Sequence, residues 1–294
     1  MTIASKPSPR PASPVDSLLE SSLRDIGIPP RPAILDRIAS EMRKDDPDSK
    51  TLVHIISTDV SLCASLIKTA NSPFFGFRSR VRSVNEALIV LGLNVASQAI
   101  AGIVLRKVFA DLPHLERFWD ASARIAQLSG WLAQRIDNLC LRADDAYTFG
   151  LFRDCGIPVL LRRFPGYDKV LNQANEDSEH SFTAVEDTQL PTNHAMVGCL
   201  LAQNWWLPEE TCLAIRHHHD VAVLEESLMT PPLASHNLVA IAQLAEHLVQ
   251  RHSGLSHTQE WPKLGAACLR VLNLTEAEVA HLLVEAVPIL TAAD

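Results

Sequence analysis

The chain has 294 residues, enough for one large domain or two small ones, and its 47% apolar and 20% charged residues are an ordinary globular balance. A net charge of −8 argues against a nucleic-acid binder that relies on bulk positive charge, and 5% aromatics argue against wide base-stacking surfaces. Six scattered cysteines (Cys63, Cys140, Cys155, Cys199, Cys212, Cys268) form no C-x-x-C pair, which fits buried thiols in a reducing cytosol rather than a disulfide framework.

Residues 1–15, MTIASKPSPRPASPV, are rich in Pro and Ser, lack the apolar stretch of a secretory signal and read as a disordered tail. After the opening GIPPRP, Ile34, Leu35, Ile38 and Met42 follow helical spacing, and Leu62, Leu66, Ile67 and Ala70 make a second stripe. Residues 87–105 carry no charge over nineteen positions, within the range of a spanning helix. Asn94, Ser97 and Gln98 at the middle would be costly in lipid, and Gly92 with Asn94 reads as a helix stop. Two short buried helices joined by a turn are predicted, with no membrane association. Capping boxes at Ser83/Glu86, Thr183/Glu186 and Thr275/Glu278 mark helix starts. No period-two run flanked by hairpin turns occurs, so the predicted fold class is all-α with many short helices.

Several ordered motifs carry a resemblance. GIPPRPAIL (27–35), STDVSLCASLIKTANSPFFGF (57–77) with its Ala70-Asn71-Ser72 turn, and VRSVNEALIVLGLN (81–94) come first. FWDASARIAQLSGWLA (118–133), FGLFRDCGIPVL (149–160) and NHAMVGCLLAQNWWLPEETCLAIRHHHD (193–220) follow. Together, over roughly residues 20 to 220, they resemble the HDOD family, a non-hydrolytic offshoot of HD-domain proteins in bacterial signalling. Val60 after Asp59 departs from that family's D-P. The resemblance implies an N-terminal helical bundle (16–112), a degenerate HD-like bundle (113–228) and a C-terminal helical segment (229–294) packed on it.

An HD hydrolase holds divalent ions with a first His, an adjacent His-Asp, further His residues and a late Asp; the ions lower the pKa of bound water and stabilise phosphoryl charge. Carried onto this chain, the first His falls at Ala121, the His of the pair at Arg153 and the late Asp at Gln243, while Asp154, His194, His218 and His219 remain. Alanine offers no ligand, and a guanidinium stays protonated where a cation would sit. The expectation is therefore no catalysis, no metal and no cofactor, with Arg153 filling the vacated pocket and pairing with Asp154 or a nearby carboxylate. Consecutive helical residues lie about 100° apart, so His217, His218 and His219 are not expected to face one ion together. One can point towards His194, and the others are expected to face solvent or to cap helix-end carbonyls near Asp220.

Arg78, Arg80 and Arg82 alternate in an extended loop. They make either an anion contact or, more simply, a solvated face. Trp205 is expected to pack and Trp206 to be partly exposed; Cys155 reads as a buried thiol rather than a nucleophile. Three functions compete: a non-catalytic cytoplasmic signalling module acting through protein partners; a metal-dependent phosphohydrolase on nucleotides or cyclic dinucleotides; and an anion or nucleotide sensor using Arg153 and His194. No receiver or cyclic-dinucleotide domain accompanies the motifs, so partners are expected to be separate chains, and nucleic acid is disfavoured.

Overall fold

A computed structural model describes residues 25–72, 75, 80–137, 139, 141–226, 233–255 and 258–291, which are helical with connecting turns. The tail at 1–15, Arg78 and Cys140 lie outside the described residues. The first helices are α1 (Ala33–Met42), α2 (Ser49–Ser57), α3 (Val60–Ala70) and α4 (Val84–Val108). Next come α5 (Glu116–Arg135), α6 (Ala143–Phe152), α7 (Gly156–Arg163), α8 (Tyr167–Glu176) and α9 (Phe182–Asp187). Then follow α10 (His194–Asn204), α11 (Glu209–His217), α12 (Val221–Glu226), α13 (Ala234–Ser253), α14 (Glu260–Leu272) and α15 (Glu276–Thr291). One buried apolar cluster runs from Ile28 to Leu290 and draws on helices from both ends of the chain.

The uncharged stretch bears out the two-helix reading. Gly92 takes φ 73° and ψ 160°, a conformation an L side chain rarely adopts, and breaks α4 into two helical halves. Among the described residues α4 alone has the length and composition to cross a membrane. It packs instead through Ala87, Leu88, Leu91, Ala96, Ile100 and Leu105, which are buried in the core.

The capping boxes fare unequally. At Thr275 both halves form: the Glu278 amide donates to Thr275 Oγ1 (3.3 Å) and the Thr275 amide to Glu278 Oε2 (2.7 Å). Ser83 Oγ accepts from the Glu86 amide (3.1 Å), but Glu86 returns to the amide of Arg82 rather than Ser83 (2.8 Å). The Thr183/Glu186 box is wrong. Ser181 caps α9, accepting from the Ala184 amide at 3.2 Å. Glu186 instead turns into the protein, fully buried.

Trp205 is buried and its indole donates to Pro29 O (3.3 Å), while Trp206 is 59% exposed, as expected. Trp206 closes α10. Its amide donates to Gln203 O and the Leu207 amide to Ala202 O, both at 3.0 Å, a Schellman arrangement. Its φ is 60°, at the position that usually holds glycine.

Candidate functional site

Three helix ends and one close helix contact build the site. Asp154 lies between α6 and α7, immediately before Cys155 and Gly156. A Cβ at Gly156 would stand 2.0 Å from His194 O, so only glycine lets α7 start against the first turn of α10. That contact sets Asp154 beside His194. Asn193 caps α10, accepting from the Met196 amide at 2.8 Å, and so fixes His194 at the first helical position. α11 ends at His217, and the next two residues leave the helix.

The three consecutive histidines do not face one point together, as helical spacing implies, but two of them turn inward rather than one. The 100° rule holds only inside a helix, and His218 and His219 lie past its end. Both turn inward, with His218 fully buried and His219 6% exposed. Only His217 stays outside, 3.7 Å from Asp220. His194 Nε2 lies 3.2 Å from His218 Nε2 and 3.2 Å from His219 Nε2. Asp154 Oδ1 lies 3.2 Å from His218 Nε2 and 3.8 Å from His194 Nε2. One donor atom from each of the four residues falls within 4.8 Å of the others.

The far side of each ring carries its own partner. His194 Nδ1 meets Glu186 Oε2 at 2.7 Å, His218 Nδ1 meets Ile215 O at 2.7 Å, and His219 Nδ1 meets Glu260 Oε2. All three partners are acceptors, so each Nδ1 donates, which leaves each Nε2 turned towards the cluster. Ring nitrogens this close repel unless a proton or a cation lies between them. A tetrahedral ion with metal–nitrogen bonds near 2.0–2.1 Å separates its donors by ~3.4 Å, close to the distances seen here. Carboxylates and carbonyls behind ligating imidazoles are the usual outer partners of such an ion. Against the expectation of no metal from the sequence, Asp154, His194, His218 and His219 could hold one divalent cation.

The charges agree. Four carboxylates (Asp154, Glu186, Glu246, Glu260) surround the rings against one guanidinium (Arg153) and one ammonium, Lys263, 2.6 Å from Glu260. Before any charge on the rings is counted two negative charges are left over, which one divalent ion or protons on the rings would balance. Burial pushes the His218 ring down to about 3, helped by His219. Burial opposes the charged forms of His194 and Glu186 too, but their mutual contact raises the one and lowers the other. Phe182 covers the cluster, nearly parallel to His219 (centroids 4.8 Å) and edge-on to His194 (5.1 Å).

Arg153 stands where the family's motif has histidine, and it is 3% exposed. Its Nε and Nη2 donate to Asp154 Oδ2 (3.1 and 2.9 Å), and Nη1 donates to Glu246 Oε2 (3.0 Å). Burial alone would lower this guanidinium's pKa, but Asp154 and Glu246 hold it above its ordinary value. Burial likewise works against the Asp154 carboxylate, yet Arg153, His218 and His194 keep it well below the usual range. The expected pairing thus forms with both the adjacent carboxylate and one from α13. Gln243 is buried and donates to His218 O at 3.3 Å; Ala121 lies on α5 and adds no polar atom. Arg80 and Arg82 are exposed, and Arg80 lines a different cleft with Lys68 and Arg106. Cys155 is buried, which pushes its thiol well up, as expected of a structural cysteine.

Glu186, Glu246 and Glu260 escaped the sequence reading. Glu186 lies eight residues before His194, and nothing local separates it from a capping glutamate. The other two reach the site from distant helices.

Similar proteins share the architecture. A protein described as "HDOD domain protein with unknown function" from Geobacter sulfurreducens superposes with a TM-score of 0.66 at 23% identity, covering 94% of this chain and 98% of its own. A "Putative phosphohydrolase" from Shewanella amazonensis SB2B gives 0.66 at 17% identity, covering 94% and 96%. An uncharacterized protein of Treponema pallidum (strain Nichols) is 29% identical over 198 residues, 66% of this chain and 38% of that relative, so the chain spans well under half its length. The HDOD domain family matches residues 28–221. With that match over most of the chain and the all-α HD-like fold around it, the protein belongs to the HDOD family.

Proposed function

We propose that the protein is a regulatory HDOD module that signals through protein partners and does not turn over substrate. The observation that carries this reading is Arg153. Its guanidinium holds Asp154 Oδ2 and Glu246, leaving Asp154 only Oδ1 for the histidine cluster. Ala121 and Gln243 supply no carboxylate or imidazole for a second ion. A single ion at the four remaining donors would lock α7, α10 and α11 together and would supply Lewis acidity there, held beneath Phe182 by three buried histidines and by Asp154, which is 19% exposed. The anion-sensor reading loses support at this site, since the Arg153 nitrogens and both His194 ring nitrogens already have partners.

The hydrolase reading keeps one observation in its favour, the convergence of Asp154 with three histidines. Elemental analysis of untagged protein, together with turnover of phosphodiester, nucleotide and cyclic-dinucleotide substrates, separates the two. The regulatory reading expects no more than one divalent ion per chain and rates equal to a blank. Turnover that disappears in Asp154→Asn would establish the hydrolase instead.

A further inference from the structure

A second site lies away from the histidine cluster. Between α1, α4, α6 and the turn from α10 to α11 is a cleft of about 400 Å³. That is within the usual range of small-ligand pockets, roughly 300–1,000 Å³. Its apolar wall includes Leu35, Met42 and Phe152. Asn94, Ser97 and Gln98, the polar residues that interrupt the uncharged stretch of α4, line it too. Their presence mid-helix has a reason here that lipid would not give.

Arg31 is the informative group. Its side chain is only 12% exposed, and Nη2 donates to Leu35 O at 3.2 Å. Nε lies 3.1 Å from Asp36 Oδ1 without the alignment of a hydrogen bond, and Nε and Nη1 are buried with no hydrogen-bond partner. Buried guanidinium nitrogens are rarely left so, and each such case calls for an acceptor. The Arg31 guanidinium carbon sits 4.1 Å from the Trp206 ring centroid, and that of Arg43 5.0 Å from the same ring. Trp206 is held there by a left-handed backbone at which glycine would be easier. Two cations therefore gather round one strained, exposed aromatic at the mouth of a cleft with one apolar wall. Acceptors are present as well: Asp144, already held by Arg142, and Asp145.

We propose that this cleft binds a small organic anion carrying a planar ring, of the nucleoside monophosphate class, its oxyanion on Arg31 and Arg43 and its ring against Trp206 and the apolar wall. Asp145, and Gln98 whose Oε1 accepts from Thr148 Oγ1 at 2.8 Å, line the cleft where the ligand's own donors would lie. This goes beyond the regulatory reading and does not depend on a metal. The cleft also adjoins the histidine centre through the chain: Phe152 precedes Arg153, and Pro208 starts the helix that ends at His217.

The test is calorimetric titration and Trp fluorescence of the full chain with AMP, GMP, CMP, benzoate and inorganic phosphate, repeated for Arg31→Gln, Arg31→Lys and Trp206→Leu, with circular dichroism to confirm that each variant folds. The proposal expects saturable one-site binding of at least one nucleotide. Arg31→Gln and Trp206→Leu should each weaken it about tenfold or more, and Arg31→Lys less. Binding of benzoate but no nucleotide would make the ligand an aromatic carboxylate and overturn the nucleotide assignment. Phosphate alone binding as well as the nucleotides would remove the role of Trp206. No response to any probe at millimolar concentration, or binding that survives both Arg31→Gln and Trp206→Leu, overturns the site.

Discussion

Arg153→Ala tests the core of the functional reading. The substitution removes a guanidinium that is 3% exposed and leaves Asp154 Oδ2 and Glu246 Oε2 without their common donor. Breaking a buried pair on one side costs ~3–5 kcal/mol, because the stranded charge must be desolvated without compensation. At ~2–4 °C per kcal/mol for a domain of this general size, the melting temperature should fall by ~6–20 °C. Differential scanning calorimetry and urea unfolding followed by circular dichroism read both quantities. Arg82→Ala, on an exposed loop position, should stay within ~0.5 kcal/mol of the parent. In the Arg153→Met background, Glu246→Gln should cost much less than Glu246→Gln alone, since the pair is already broken. If Arg153→Ala costs no more than Arg82→Ala, the guanidinium does not fill the second ion's place and the argument against a paired-metal centre fails.

Four further outcomes are expected. Dialysis against a chelator should lower the melting temperature of the parent but not of His218→Ala, because the ion braces the folded state only where its ligands remain; equal responses would remove the cation from the cluster. The triple variant Ala121→His, Arg153→His, Gln243→Asp should raise metal content by about one ion per chain over the parent, and an unchanged content would mean that the family's positions no longer converge. Gly156→Ala should destabilise by at least ~1–3 kcal/mol in chemical denaturation, since its Cβ would lie 2.0 Å from His194 O. Burial and Arg251 push the His247 ring down to about 4, whereas an unfolded His titrates near ~6.5. Between those values the unfolded chain binds the extra proton, so stability falls as pH drops from ~6.5 towards 4; His247→Phe, which keeps a ring over Trp261, should lessen that slope and leave the share of His218, whose ring is pushed down to about 3, and an unchanged slope would show that His247 does not titrate there.

Local rules carried much of the fold. Helical periodicity, the glycine break at residue 92 and the Thr275 cap are decided within a few residues, and they appear as read. The resemblance placed Arg153 in the old pocket, and chemistry then required its pairing, because a buried cation must find a carboxylate. What local rules could not reach was the site's convergence. Helical spacing keeps His217 away from the other two, but the helix stops at His217, so both His218 and His219 turn inward, and a helix boundary is set by capping and packing rather than by residue spacing. Glu186 failed as a cap for a related reason: its partners His194 and Tyr167 are brought to it only when α8, α9 and α10 pack. The cleft at Arg31 and Trp206 joins residues 175 positions apart, so no window of sequence displays it. The sequence by itself determined which side chains were present, their charge and the helices that carry them. Which donors face one another, and whether a cation can lie between them, depended on long-range packing, because contact distances between remote segments exist only in the tertiary structure.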